Sequence, residues 1–143
     1  MVQVPLPPRN AKRLSTVCQF CIVGCGYKVY RWPEGRDGGP APEDNALGVD
    51  YRRQLDAFQE WIAPAMHSVV TDRDGSRHNI AIVPDTECVV NRGISSVRGG
   101  GLAQTQFAPD RATRDRLKAP MLKGPGGHKA MSWDQARTSA RAS

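Results

Sequence analysis

The sequence predicts a small, loop-rich α+β fold built from antiparallel hairpins and short helices. Strand-period alternation on both sides of a Gly-containing turn marks a hairpin, and a capping box near the end marks one helix. Gly and Pro supply 14 and 11 of the 143 residues, too many for long regular helices, while hydrophobic and aromatic residues at 39% and 6% allow only a modest core. That length suits one compact domain and is short for two full-sized ones.

Residues 1–14 carry Pro5, Pro7 and Pro8 and read as an extended lead-in. From Gly26 to Trp32 the order Gly-Tyr-Lys-Val-Tyr-Arg-Trp alternates β-formers with polar residues and predicts a strand. Pro33 to Pro42 is a loop by its Gly and Pro content. Residues 51–63 suit a short helix with Leu55, Phe58, Trp61 and Ile62 on one face, ended by Pro64. Residues 66–71 and 77–83 flank Asp72-Arg-Asp-Gly-Ser76 and predict the hairpin. After Ile94 the chain is Gly-rich at 99–101 and reads as loop to about residue 130. Ser132-Trp-Asp-Gln135 is the capping box, with Ser132 as N-cap and Gln135 reaching back. No internal repeat is visible. The division that follows is a lead-in over 1–14, a central domain over 15–110, and a linker with a first helix over 111–143.

Against 14 Asp+Glu stand 20 Lys+Arg, for a formal charge of +6. Residues 101–143 hold eight basic and three acidic side chains, so most of the excess is C-terminal. It contains no block of five or six like charges and little aromatic interleaving, which favours a solvated surface over a nucleic-acid face. The longest apolar runs, Cys21-Ile-Val23 and Ile80-Ala-Ile-Val83, fall far short of the roughly 18–20 residues of a membrane span, so no span is expected. The start has no basic segment followed by an apolar stretch, so no secretory signal is expected.

Cysteines fall at 18, 21, 25 and 88. Three thiols within eight residues suit convergence on one soft metal centre better than pairwise disulfides. Structural zinc wants four ligands, usually as two close pairs or Cys/His combinations, and His67, His78 and His128 have no ligand spacing. An iron–sulfur cluster fits better, with Gly24 and Gly26 relieving crowding around the inorganic core. Spacing leaves Cys88 open, either as a fourth ligand of a [4Fe-4S] cluster or as a small buried hydrophobe; the second is favoured. The competing class is a stand-alone zinc module that contacts nucleic acid through residues 111–141. Trp32, Trp61 and Trp133 read as core or packing residues.

Downstream, Asn91-Arg-Gly-Ile-Ser-Ser96-Val-Arg98-Gly99 resembles the fourth-ligand segment of molybdopterin oxidoreductases of the dimethyl sulfoxide reductase family. Their pattern is Asn-x-Gly, two residues, then Cys-x-Lys/Arg-Gly, and here Ser96 stands where they have the cysteine. Arg116-Leu-Lys-Ala-Pro120-Met-Leu and Ser132-Trp-Asp-Gln-Ala136 are also family-like. With the serine, the run Cys18-Gln-Phe-Cys21-Ile-Val-Gly-Cys25 through Glu34 resembles the large subunits of arsenite oxidases. So do Ala41 through Gly48, Pro64-Ala-Met66, Arg73-Asp-Gly-Ser76 and Cys88-Val-Val-Asn91, and the likeness extends from about Pro5 to Ala136.

The resemblance implies a [3Fe-4S] cluster on Cys18, Cys21 and Cys25, with Ser96 not a ligand because a hydroxyl is a poor substitute for thiolate on iron. One fewer anionic ligand raises the cluster potential. Arg98 and Gly99 would lie near the pterin, Arg98 bridging two anionic redox groups. The full enzyme would hold molybdenum bis(molybdopterin guanine dinucleotide), oxidise arsenite and pass electrons to a Rieske-type small subunit. It would be periplasmic, exported with that subunit. No catalytic residue falls in this stretch. Residues 111–143 would open a molybdopterin-binding domain cut short, since Arg137 to Ser143 departs from the family's apolar helix. Alone, such a fragment should be inactive.

Overall fold

A computed structural model of the chain describes residues 4–55, 61–107 and 119–141, the side chains of 140 and 141 excepted. The chain divides into two units, Met1–Thr113 and Arg114–Ser143. In the first, β1 (Lys12–Val17), β2 (Gly26–Pro33), β3 (His67–Thr71) and β4 (Arg77–Pro84) form an antiparallel sheet in the order β1-β2-β4-β3.

The two-residue strand period gives β2 and β4 two different faces. Pairing of Val29 with Ile82 and of Tyr30 with Ala81 fixes the register. Tyr27, Val29 and Ile82 fall on one face, where α1 (Val97–Gly100) and α2 (Leu102–Phe107) bring Leu102 and Ala103 against them. Tyr30, Trp32, Ala81 and Val83 fall on the other, under Met66, Ala46 and Leu47. Burial on both faces explains why β4 reads as an almost continuous apolar run.

Asn45 organises the loop over that second face. Its Nδ2 donates to the carbonyls of Ala41 at 2.7 Å and Val49 at 2.9 Å, and its Oδ1 accepts the Leu47 amide at 3.1 Å. Trp32 Nε1 donates to Asp37 Oδ1 at 2.8 Å, and Asn79 Nδ2 donates to the same oxygen at 3.0 Å. These bonds satisfy polar groups that burial would otherwise strand.

The second unit contains a hairpin of β5 (Met121–Gly124) and β6 (Gly127–Ala130), then α3 (Trp133–Arg141). Its capping box is closed in both directions. Ser132 Oγ accepts the Gln135 amide at 3.2 Å, and the Ser132 amide donates to Gln135 Oε1 at 2.9 Å.

Several expectations needed correction. Lys12 to Val17, half inside the supposed lead-in, form the edge strand β1. Residues 51–55 and 61–63 are turn and irregular chain rather than helix, and only Pro64–Met66 make a single 3-10 turn; residues 56–60, with Phe58, lie outside the described residues. Here Pro64 starts the helical turn instead of ending one, because proline is tolerated at a first helical position. The stretch read as loop to about residue 130 contains α1, α2, β5 and β6, while residues 108–118 lie outside the described part. Trp32 is a core residue as expected, but Trp61 and Trp133 are 54% and 68% exposed.

Candidate metal centre

Residues 18–25 are the connection between β1 and β2. The Cys18 amide donates to the Cys25 carbonyl at 2.8 Å, which continues the β1–β2 pairing by one step and closes the loop at its base. Within it Gly24 has φ of +67°, a left-handed turn that turns the chain back toward Cys25 and that other residues adopt only at a cost. Cys18 is buried, Cys25 half-buried and Cys21 exposed, and all four cysteines are free thiols.

The loop faces a second segment, 65 and more residues away in sequence. Asn91 joins them. Its Oδ1 accepts the Gly26 amide at 2.8 Å, and its Nδ2 donates to the carbonyls of Gly26 at 3.2 Å and Ile94 at 3.0 Å. The chain then reaches Ser96, the N-cap of α1, whose Oγ accepts the Gly99 amide at 3.3 Å. A cavity of about 470 Å³ lies between the two segments. Cys18, Phe20, Cys21, Cys25 and Tyr27 line one side of it, and Ser96, Val97 and Arg98 line the other.

Matched over residues 18–113 is the family model described as Rieske 3Fe-4S. The chain belongs to that Rieske 3Fe-4S family. It is 49% identical over 134 residues to the arsenite oxidase subunit AioA of Herminiimonas arsenicoxydans, covering 94% of this chain and 16% of that protein. To the iodate reductase subunit IdrA of Pseudomonas sp. (strain SCT) it is 46% identical over 134 residues, 93% of this chain and 15% of the relative. The IdrA of Denitromonas iodatirespirans is 44% identical over 135 residues, again 93% of this chain and 15% of the relative. The chain therefore spans about one sixth of the length of the relatives it matches.

In this Rieske 3Fe-4S domain the residues singled out from sequence divide clearly. Cys18, Cys21, Cys25, Ser96 and Arg98 share the cavity, and Cys88 is not among its lining residues. A Cβ on Gly26 would lie 2.7 Å from Cys88 Sγ, so the bareness of Gly26 serves the packing of Cys88 and not crowding around a cluster. Backbone amides of Val90 and Asn91, against an opposing effect of burial, hold the Cys88 thiol below its usual pKa. Gly99 and Gly100 are buried in α1 rather than forming an open loop. The imidazoles lie elsewhere: His67 bonds Asn79 Oδ1 at 2.9 Å, His78 sits 3.3 Å from Asp72, and His128 is exposed. Among the described residues, no three His, Cys, Asp or Glu side chains are drawn together as ligands of a single ion.

Tyr27 was not anticipated as a site residue; its only sequence signal was a place in β2 two residues after Cys25. It is 1% exposed, and its hydroxyl oxygen is shut off from solvent. Burial raises the pKa of this hydroxyl; Ser95, close enough to favour the phenolate, opposes that, and Cys18 and Cys25 add to the rise. The oxygen lies against α1, where a Cβ on Gly99 would sit 1.9 Å from it.

No helix among the described residues is long and apolar enough to cross a membrane. Ile22 and Val23 in the cysteine loop, and Ile94 and Val97 in the distant segment, are exposed.

Proposed function

We propose that the chain is the iron–sulfur domain at the N-terminal end of a molybdopterin oxidoreductase catalytic subunit of the arsenite oxidase type. Cys18, Cys21 and Cys25 would hold a [3Fe-4S] cluster. The observation that carries this reading is the single cavity shared by the three cysteines and by Ser96 and Arg98 from the distant motif. Bound there, the cluster would supply a one-electron relay between a molybdenum–pterin centre oxidising arsenite to arsenate and a Rieske-type small subunit.

The donor set fits that group. Thiolates around one zinc ion would approach within about 3.8 Å of each other, from Zn–S bonds of about 2.3 Å in a tetrahedron. Sulfurs spread around a 470 Å³ cavity, with no single-ion grouping among the described residues, suit a larger inorganic core. A Rieske centre proper takes two histidines on one iron, and no histidine lines this cavity. The family description's other half, 3Fe-4S, matches three thiolates and a serine. Ser96 Oγ is engaged as the cap of α1, in keeping with a hydroxyl that does not ligate.

The other residues of the cavity would shape its surroundings. Phe20 and Val97 give the cluster position apolar lining. Arg98, exposed beside it, offers a guanidinium to anionic pterin phosphate, with Gly99 in the following turn. The exposed apolar side chains of the two segments fit a surface that further protein covers. Export to the periplasm together with the small subunit belongs to the same proposal.

Two of the relatives are iodate reductase subunits, which favours a second reading in which the same relay runs toward a reductive site. Nothing in the cavity distinguishes them, since both need only a one-electron carrier. Arsenite oxidation against iodate reduction by the complete enzyme separates the two.

Anaerobic reconstitution of the chain with iron and sulfide, followed by iron counting and electron paramagnetic resonance, tests the cluster. Three irons per chain are expected, lost in Cys18→Ser, Cys21→Ser or Cys25→Ser and retained in Cys88→Ala. A four-iron cluster that disappears in Cys88→Ala, or a colourless protein holding zinc, overturns the assignment.

A further inference from the structure

We propose that Asn91 is a positioning residue of the metal centre, whose carboxamide holds the cysteine loop against the Ser96 segment and so governs how firmly the cluster is kept. The inference rests on the cluster assignment above and concerns a residue outside its ligand set.

Gly26 follows Cys25 directly and opens β2. On one side it pairs with Val17 of β1. On the other, β4 ends at Pro84, opposite Tyr27 and one residue short of Gly26. Asn91 takes the place of the strand that stops there. Its Oδ1 accepts the Gly26 amide at 2.8 Å, and its Nδ2 joins the Asp85 amide in donating to the Gly26 carbonyl. A third bond runs from Nδ2 to the Ile94 carbonyl at 3.0 Å, while the Ile94 amide returns to the Asn91 carbonyl at 2.8 Å. Together these close a turn two residues before Ser96. One buried side chain, 8% exposed, thus ties the residue after Cys25 to the segment that delivers Ser96, Val97 and Arg98 to the cavity. In the same turn Arg92 has φ of +43°, a left-handed conformation that a residue with a Cβ adopts only at a cost, which the Asn91 bonds oppose.

No cysteine side chain takes part in these bonds, so the clasp closes independently of the thiols. Thiolates gathered on one core repel each other, and a loop ordered only as the cluster binds would add its conformational entropy to that cost. Walls fixed beforehand remove that second cost from cluster binding. The chemistry also selects the residue: a carboxamide offers an acceptor and two donor hydrogens at the end of a short side chain, whereas a carboxylate has no donor and alanine has neither.

The test uses the full chain reconstituted anaerobically with iron and sulfide. Loss of cluster absorbance to an iron chelator is followed while circular dichroism checks that each chain stays folded. Asn91→Ala should lose its cluster about 10–100-fold faster than the unsubstituted chain, the size of effect that outer-shell partners of metal ligands have on affinity. Asn45→Ala removes a carboxamide bound to three backbone groups over the other face of the sheet, and should lose its cluster at the unsubstituted rate. The unsubstituted chain, brought to the stability of Asn91→Ala with urea, should keep its cluster longer than that variant. Should Asn91→Ala not fold, Asn91→Asp takes its place, since it retains the acceptor for the Gly26 amide and loses both donated bonds; faster loss supports the role and unchanged loss removes it. Equal rates in the unsubstituted and Asn91→Ala chains overturn the inference and leave the cluster assignment standing. Loss from Asn45→Ala or from the urea-matched chain as fast as from Asn91→Ala makes the effect one of general stability and also overturns it. Absence of any cluster in the unsubstituted chain overturns both.

Discussion

In a Gly99→Ala chain the added methyl would meet Tyr27 at 1.9 Å from the hydroxyl oxygen and 2.9 Å from Cζ. Relief requires a displacement of more than about 1 Å, given that non-bonded heavy atoms rest near 3.5 Å. Tyr27 is poorly placed to supply it, being 1% exposed, held in β2 between two paired strands and packed on Ile82, Leu102 and Ala103. The α1 turn is held too, by Ser96 at its start and by Leu102 immediately after. Overpacking of this kind costs about 1–3 kcal/mol. Opposing it, alanine in a helical turn is favoured over glycine by about 0.5–1 kcal/mol. Gly99 is not among the glycines with positive φ, so that benefit is realised in full. The clash wins, and a net loss of about 1–2 kcal/mol is expected. Urea unfolding should show it as a lower midpoint at constant slope. Tyr27→Phe removes the shorter contact, so the double variant should recover about 1 kcal/mol, a coupling typical of touching residues. Gly99→Ala as stable as the unsubstituted chain, or equally destabilising with tyrosine or phenylalanine at position 27, would refute the steric account.

Asn91→Ala should cost about 1–3 kcal/mol, because it strands the Gly26 amide at the base of the cysteine loop, while the Gly26 carbonyl keeps the Asp85 amide at 3.0 Å. Thermal unfolding measures the loss, accelerated amide exchange at Gly26 localises it, and a change under about 0.5 kcal/mol contradicts it. The third prediction concerns pH. Lys28 is buried and pairs with Asp85 at 3.1 Å and Glu87 at 2.7 Å. Burial disfavours its charge, but the hydrogen bonds it donates to both carboxylates prevail and its pKa is raised. Burial likewise opposes Asp85, yet the Glu87 amide and Lys28 prevail and its pKa is lowered. The Lys28 contribution is therefore complete below the ordinary lysine pKa of about 10.4 and is lost as pH rises through the higher folded value. The Asp85 contribution is complete above the ordinary aspartate pKa of about 3.9 and is lost as pH falls through the lower folded value. Unfolding midpoints should be level between those limits and fall outside them, and Lys28→Met should remove the alkaline fall and lessen the acid one, where the Glu87 amide still holds Asp85. Unchanged pH dependence in that variant would count against the pairing.

The parts of the fold legible in sequence are those whose burial leaves a periodic trace. β2 alternates, and β3 with β4 flanks an Asp72–Ser76 turn closed by bonds of 2.9 and 3.0 Å. Edge strand β1 leaves no such trace, since all six residues are exposed and no face of it needs to be apolar. Nor do α1 and α2 announce themselves. Three successive glycines disfavour helix by about 1 kcal/mol each, and the turns form because Leu102 and Ala103 pack beneath them. The helix expected over 51–63 shows the reverse error: its apolar spacing was real, but the described parts of that segment cover the sheet as irregular chain, with Ile62 and Ala63 against the core.

Chemistry was written locally, and its setting was not. Three cysteines within eight residues, a serine at the fourth motif position and the capping box of α3 are fixed by nearest-neighbour order, which a linear sequence displays directly. Which face of the sheet the cysteine loop closes against, the exclusion of Cys88 from the cavity and the buried Tyr27 hydroxyl depend on pairing Gly26 with Asn91, 65 residues away. Only the folded chain can settle such contacts, because burial and steric exclusion belong to positions in space and leave no period in the sequence.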